Sequence, residues 1–436
     1  MGEFKSTENA ELPPPDETTK WSRVWQEVIP DRSRRKILAA GLAKIGLGVI
    51  AGTTLNACRG SSSNEHEKEE TEEDNSSSDQ NNVQAIDGMA CRRRGCRPTP
   101  VPGPSPTTPP PSTTPGPAPA PVPGGIRTFS FLGLNSASLG ISMAARQTLA
   151  DGSTLPVWSF GGGFNNDRAV PAPVIELVEG QAAAISLSTM MPHSIHPHGL
   201  DVDQANDGVP ATSGFVGMAM PMMGNFGRVA GLPSLGSSYT YRFTAPHAGT
   251  YMYHCHVDTV LHQEMGMVGT IIVRPPDGNA GFAWEGGPQF TREYIWQLHT
   301  FDTSWHSQRI SGAGTVRYRP NVFMINGRNG NLATTDTTIA ISGVPGDVVL
   351  LRLVNAGYLP AVVSLGGLMF QVIASDGRPL REIITTDQWQ IAAGERYDLL
   401  LLLTAGTART ATVDYYDIRG SRILGSVSTL IQVSGP

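Results

Sequence analysis

The stretch "YMYHCHVDTVLHQEMGM", residues 251–267, holds three histidines, one cysteine and three methionines within seventeen positions. A second stretch, "MMPHSIHPHGLDVD", adds His193, His196 and His198. Thiolate, thioether and imidazole are copper donors: soft sulfur ligands favour Cu(I), and imidazole serves both oxidation states. Two histidines, a cysteine and a weak, distant methionine make the trigonal arrangement of a blue-copper site. A single buried histidine is ordinarily a hydrogen-bonded core residue, and a single cysteine a small hydrophobe. Six histidines from two short segments around one cysteine form a pattern that neither explanation covers.

The elements that carry these residues read as strands. In "SSYTYRF", Tyr239, Tyr241 and Phe243 alternate with polar residues; Pro246 and Gly249 interrupt; Thr250 to His256 is rich in β-formers. Successive side chains of a strand face opposite ways. Tyr251, Tyr253 and Cys255 therefore share one face, and Met252, His254 and His256 the other. If the aromatic face is the core face, Cys255 points inward. By the same parity His196 and His198 face one way and His193 the other, provided the chain stays extended through Pro197. The expectation is an inward set of His193 and Cys255 and an outward set of His196, His198, His254 and His256, back to back. His262 and Met267 follow in the loop after the cysteine. The outward histidines suit copper with open positions for a small molecule.

The segments "HSIHPHG", "DGVP", "APHAGTYMYHCH" and "HQEMGM" resemble the copper segments of multicopper oxidases, particularly two-domain laccase-like and nitrite-reductase-like members. The resemblance implies that His193, Cys255, His262 and Met267 are type 1 copper ligands. It implies that His196, His198, His254 and His256 are one domain's half of a type 2/type 3 cluster. In that family Cys255 would pass electrons to the cluster through its neighbours His254 and His256, which makes these three the catalytic relay. Nitrite reductases typically lack the second flanking histidine, so His256 favours the oxidase side. Met265 rivals Met267 as axial ligand; the five-residue offset of Met267 from His262 matches the usual loop. From Cys255 to His262 the gap is two residues longer than in three-domain laccases, within the two-domain range.

Further along, "NVFMINGRNG", "GDVVLLRLVNAG", "MFQVIASDGRPL" and "ITTDQWQIAAGERYDLLLLL" resemble the non-copper domain of the same family. Alternating runs broken by Gly, Pro, Asn and Asp argue for a β-sandwich there too. The fold class expected is all-β: two cupredoxin-like Greek-key β-sandwich domains, 125–276 with copper and 285–436 without evident ligands, after a disordered N-terminal region. The second domain has only His299 and His306, without a His-x-His pair, and both read as structural or surface residues. One chain then offers a complete blue site and half a cluster. The activity expected is a copper oxidoreductase taking electrons from a small-molecule or metal-ion reductant and reducing oxygen. Its alternatives are a non-catalytic blue-copper electron carrier and a nitrite-reductase-like enzyme. Completing the cluster calls for a homo-oligomer, with first domains facing each other across their outward histidines, or for a histidine-donating partner.

The front of the chain bears on location. "SRRKIL", Ser33 to Leu38, is a twin-arginine signature, followed by an apolar stretch of signal-peptide length, too short and glycine-rich for a membrane span. "LNAC" resembles a lipoprotein box, with Asn56 unusual there, and makes Cys58 a candidate for a lipid anchor. Residues 1–57 thus read as an export signal, and an exported, periplasmic or membrane-tethered location follows. Residues 58–124 read as a linker. Its acidic, almost apolar-free run, which contains His66, cannot offset its own ordering entropy, and the proline-rich run is an extended spacer. Between them "CRRRGC" places Cys91 and Cys96 for a local disulfide in an oxidising compartment. The formal net charge is −6, and neither a basic stripe nor a phosphate loop points to nucleic acid. A methionine cluster, Met218, Met220, Met222 and Met223, reads as a flexible apolar lid over the blue site or a partner contact, with Cu(I) handling as the alternative.

Overall fold

The computed structural model describes residues 126–436 except 162, 165–167, 219–228, 230, 279–280, 309–316 and 436. Residues 1–57, expected to be an export signal, Cys58, the expected linker with Cys91 and Cys96, and Met220, Met222 and Met223 lie outside the described residues.

The fold is all-β, built as two cupredoxin-like sandwiches. In the first, a five-stranded sheet takes the order Phe131–Leu134, Val174–Val178, Val268–Arg274, Gly249–His254, His196–His198. It packs on a four-stranded sheet in the order Thr154–Phe160, Ser136–Thr148, Ala182–Ser188, Ser238–Thr244. Inward residues of both sheets, among them Leu139, Ile185, Leu187, Tyr241, Tyr251, Tyr253, Ile271 and Val273, form one core that includes Cys255. The second sandwich joins a seven-stranded sheet, centred on Arg292–Phe301, Val348–Asn355 and Arg396–Leu402, to a five-stranded one centred on Ala408–Tyr416 and Ile423–Val433. Ile126–Arg127 pairs in parallel with Arg292 and Glu293, so the first described strand belongs to the second sandwich's sheet.

Burial along the strands shows how the sandwiches meet. Ala182–Ser188 alternates exposed and buried positions, as a strand with one wet face must. Val268–Arg274 is buried at every position. Its Ile271 and Val273 face the first core. On its other face Val268 packs with Met252, Val354 and Ala356, and Ile272 with Ile295. The histidine-bearing sheet is therefore the middle layer, with the second sandwich against its outer face.

An ionic network crosses this interface. From the first sandwich, Arg274 bonds Glu176 and places two parallel bonds on Glu293, at 2.7 and 2.8 Å. On the second sandwich, Arg352 bonds Glu293 at 2.6 Å and Asp398 at 3.3 Å. Thr250, on the cysteine strand, donates to Asp398. Burial alone would raise the Glu293 carboxyl, but Arg274 and Arg352 hold it down at about 2. Separating buried ion partners is strongly destabilising, so this network favours one relative placement of the two sheets.

Candidate metal centres

The inner centre is built from three elements. Cys255 follows directly on the strand Gly249–His254, and its N–H still donates to the Met267 carbonyl at 3.2 Å. His193 is held by paired backbone bonds with Val216, 2.9 and 2.8 Å. His262 sits in the short helix Thr259–Glu264. Cys255 Sγ lies 3.6 Å from His193 Nδ1 and 3.1 Å from His262 Nδ1. Trp158 stands edge-on to the His262 ring with centroids 5.1 Å apart. All three donors are buried and lie within 4.8 Å of one another, which fits a metal about 2 Å from each.

Register bears on the axial ligand. Val268 pairs with His254, and Met267 accepts the Cys255 N–H, so Met267 lies opposite the cysteine on the same pleat. Met265 instead ends the helix, and its carbonyl accepts the Trp158 N–H. Both methionines are buried in the first core.

Electrostatics fit a cation. Burial pushes the Cys255 thiol up to about 12 and His193 down to about 3, and holds His262 well below its usual value. A metal-free pocket therefore holds a neutral thiol and neutral imidazoles. A bound cation supplies the charge that makes the thiolate stable there.

The outer centre lies on the reverse of the same strand. His196 pairs directly with His254, and His198 with Met252. His196, His198 and His254 offer ligand atoms within 4.8 Å of one another. His256 stands beside them, its ring 5.2 Å from that of His196 and 5.8 Å from that of His254. Hydrogen bonds orient the rings. His196 Nδ1 is 2.7 Å from the Asp207 carbonyl and His254 Nδ1 is 3.0 Å from the Cys255 carbonyl, which leaves each Nε2 for the centre. His198 Nδ1 lies 3.2 Å from His254 Nε2. Burial lowers His254 to about 3; burial first, then the Arg396 and His196 charges, lowers His198 to about 4. Neutral imidazoles are the form a metal binds.

The outward face is not open to solvent along its length. His254 is only 3 % exposed, because its sheet packs on the second sandwich. Gly394 of that sandwich, at φ +83°, comes so near that a Cβ there would lie 3.5 Å from the His198 ring. Parity assigned these side chains to a face but carried no information about what covers it. His196, His198 and His256 remain half-buried at the rim.

The two second-sandwich histidines are buried and serve packing: His299 Nδ1 is 3.0 Å from the Ala356 carbonyl, and His306 Nδ1 is 2.7 Å from the Pro156 carbonyl. Sequence reasoning passed over Asp207, Ser194 and Trp158. Ser194 Oγ accepts the His256 N–H at 3.1 Å. Asp207 lies in "DGVP", whose Gly208 (φ +67°) is obligatory because a Cβ would fall 1.9 Å from the Ile195 carbonyl oxygen. In the sequence the readable signal was only the glycine of that motif; what it packs against comes from the structure. Met218 is exposed, and its N–H donates to the Met190 carbonyl at 3.0 Å, next to the segment leading to His193.

Two multicopper oxidase family models match the chain, one over residues 143–277 and the other over 299–428, together more than half of it. The chain belongs to the multicopper oxidase family. Copper is accordingly its cofactor, and the thiolate–imidazole and all-imidazole donor sets fit that metal. Among family relatives, the chain is 28% identical to oxidoreductase OpS5 of Beauveria bassiana over 54% of its own length and 38% of that protein's. It is 27% identical to laccase-20 of Oryza sativa subsp. japonica over 55% of its length and 39% of that protein's. It thus spans well under half of those curated relatives. The solved blue copper oxidase from Nitrosomonas europaea superposes with a TM-score of 0.52 at 27% identity, over 69% of this chain and 86% of that one.

Proposed function

We propose that this multicopper oxidase is a laccase-like enzyme that oxidises a small-molecule or metal-ion reductant and reduces oxygen. His193, Cys255, His262 and Met267 hold type 1 copper; His196, His198, His254 and His256 hold its type 2/type 3 partner. The observation that carries this reading is the pair of donor sets on opposite faces of one strand, joined through Cys255. Copper supplies one-electron redox chemistry in the inner set and open positions for a small molecule in the outer one. The chain's own part is to exclude water from the inner donors, fix their Nδ1 atoms on Sγ, and tie His254 to the Cys255 carbonyl so that the two sets share one backbone.

The domain limits 125–276 and 285–436 follow the same reading, as does export through the twin-arginine segment with Cys58 as anchor point. The second sandwich brings no His-x-His pair, so a full cluster draws on another copy of the chain or on a histidine-donating partner approaching the rim at His196, His198 and His256.

Copper stoichiometry measured against oligomeric state tests the proposal. The expected result is a blue protein whose oxygen uptake and outer copper appear only in the oligomer or with a partner. A strictly monomeric chain holding a full trinuclear cluster would refute the shared-cluster part. A second reading, a mononuclear outer site in an electron carrier or nitrite-reductase-like protein, is favoured by the grouping of three histidines, with His256 standing outside it. One blue copper per monomer without oxygen uptake would support the electron carrier; turnover of nitrite at one outer copper would support the other.

A further inference from the structure

The helix that carries His262 is gripped from the second sandwich. Glu264, two residues on, is fully buried. Its Oε1 accepts the Asp302 N–H at 2.5 Å, and its Oε2 accepts the Tyr318 hydroxyl at 3.0 Å. His306 Nε2 lies 3.5 Å from the same carboxylate. One turn earlier, the Tyr358 hydroxyl donates to the Val260 carbonyl at 2.6 Å. The rings of Trp305 and Tyr358 both meet Tyr318 edge-on, at 5.5 and 5.6 Å. Asp302, His306, Tyr318 and Tyr358 all lie beyond the first sandwich, in the half of the chain that lacks a ligand pair.

We propose that Glu264 is a positioning residue through which the second sandwich holds the His262–Met267 ligand loop in place. Resting on the assignment of His262 as a copper ligand, this gives the ligand-poor sandwich a task at the inner centre. The helix has only six residues, too few to hold its own shape. The backbone bond from Met267 N–H to the His262 carbonyl, 3.0 Å, closes the loop but does not fix its distance from His193. The carboxylate does so by binding a main-chain amide and a tyrosine on the opposite sandwich. It is an acceptor for both, and a glutamine keeps both contacts with one reversed: its oxygen takes the Asp302 N–H, and its amide donates to the Tyr318 oxygen, whose hydroxyl can turn to the Thr300 carbonyl 3.2 Å away.

The test compares Glu264→Ala and Glu264→Gln in the full, copper-loaded chain, reading the blue absorption band, the copper hyperfine splitting and copper affinity by chelator competition. Glu264→Ala should shift and weaken the band and lose about 10–100-fold in affinity, as removal of outer partners of metal ligands does. Glu264→Gln should restore both to near the wild-type values. A folded Glu264→Ala protein with wild-type band, splitting and affinity would overturn the proposal. If Glu264→Ala does not fold, the double substitution Tyr318→Phe with Tyr358→Phe takes its place, with a shifted band expected and an unchanged one overturning the proposal. His262→Gly is measured alongside. A wild-type band in that variant would strike down the ligand assignment itself, a result distinct from an unaltered Glu264→Ala.

Discussion

The two sandwiches have the same architecture and similar aliphatic and aromatic cores, yet only the first gathers histidines around a thiol. In the first, imidazoles cluster on both faces of one strand. In the second, the two histidines are set apart, each with its Nδ1 on a main-chain carbonyl, that of Ala356 or Pro156. A shared fold therefore says little about chemistry; the side chains on particular pleats decide it. What the second sandwich contributes is placement: it covers His254, ties Thr250 and Arg274 into the ionic network, and grips the His262 helix.

The strongest way to break this contrast is at the shared strand. Cys255→Ser should abolish the blue absorption completely while far-ultraviolet circular dichroism stays that of a β-sandwich. The combined His254→Ala and His256→Ala protein should keep the colour and lose outer copper and oxygen uptake. Colour persisting in the serine variant, or vanishing in the double alanine variant, would show that the two faces are not separate centres.

A second effect lies in the scaffold. Glu293→Gln leaves Arg274 and Arg352 buried without their shared carboxylate and should destabilise the chain by about 3–5 kcal/mol in denaturant unfolding. The pH dependence follows from the same residue. Its folded value, about 2, lies below the ordinary 4.5. Its contribution is present above the ordinary value and is lost as pH falls toward 2. Asp398, raised by burial, works in the opposite direction, so its contribution is lost as pH rises. The wild-type protein should therefore show an acid limb of unfolding below about pH 4.5, and Glu293→Gln should flatten it. An acid limb of equal steepness in both proteins would mean that the network does not control their acid stability.

The smallest effect belongs to the second sandwich's own imidazole. His299→Gln should cost about 1 kcal/mol, the worth of one buried hydrogen bond, and leave copper content unchanged. Copper loss in that variant would make the second sandwich a ligand donor after all.

The donor types, their spacing and the two-residue alternation were legible in the sequence, because a strand's pleat has a fixed period: parity put His196 and His254 in one outward set, and the register of the two strands then pairs them. Composition and turn residues were likewise enough for an all-β chain. Other features depended on segments far apart in sequence. The burial of His254, the grip of Asp302 and Tyr318 on Glu264, and the approach of Gly394 to His198 all require the second sandwich to dock on the outer face of the histidine sheet. Alternation along one strand sets which way a side chain points. What it meets there is decided by the packing of sheets and by buried charge pairs such as Arg274 with Glu293, nineteen residues apart in sequence but on different sandwiches, and only the tertiary structure supplies that.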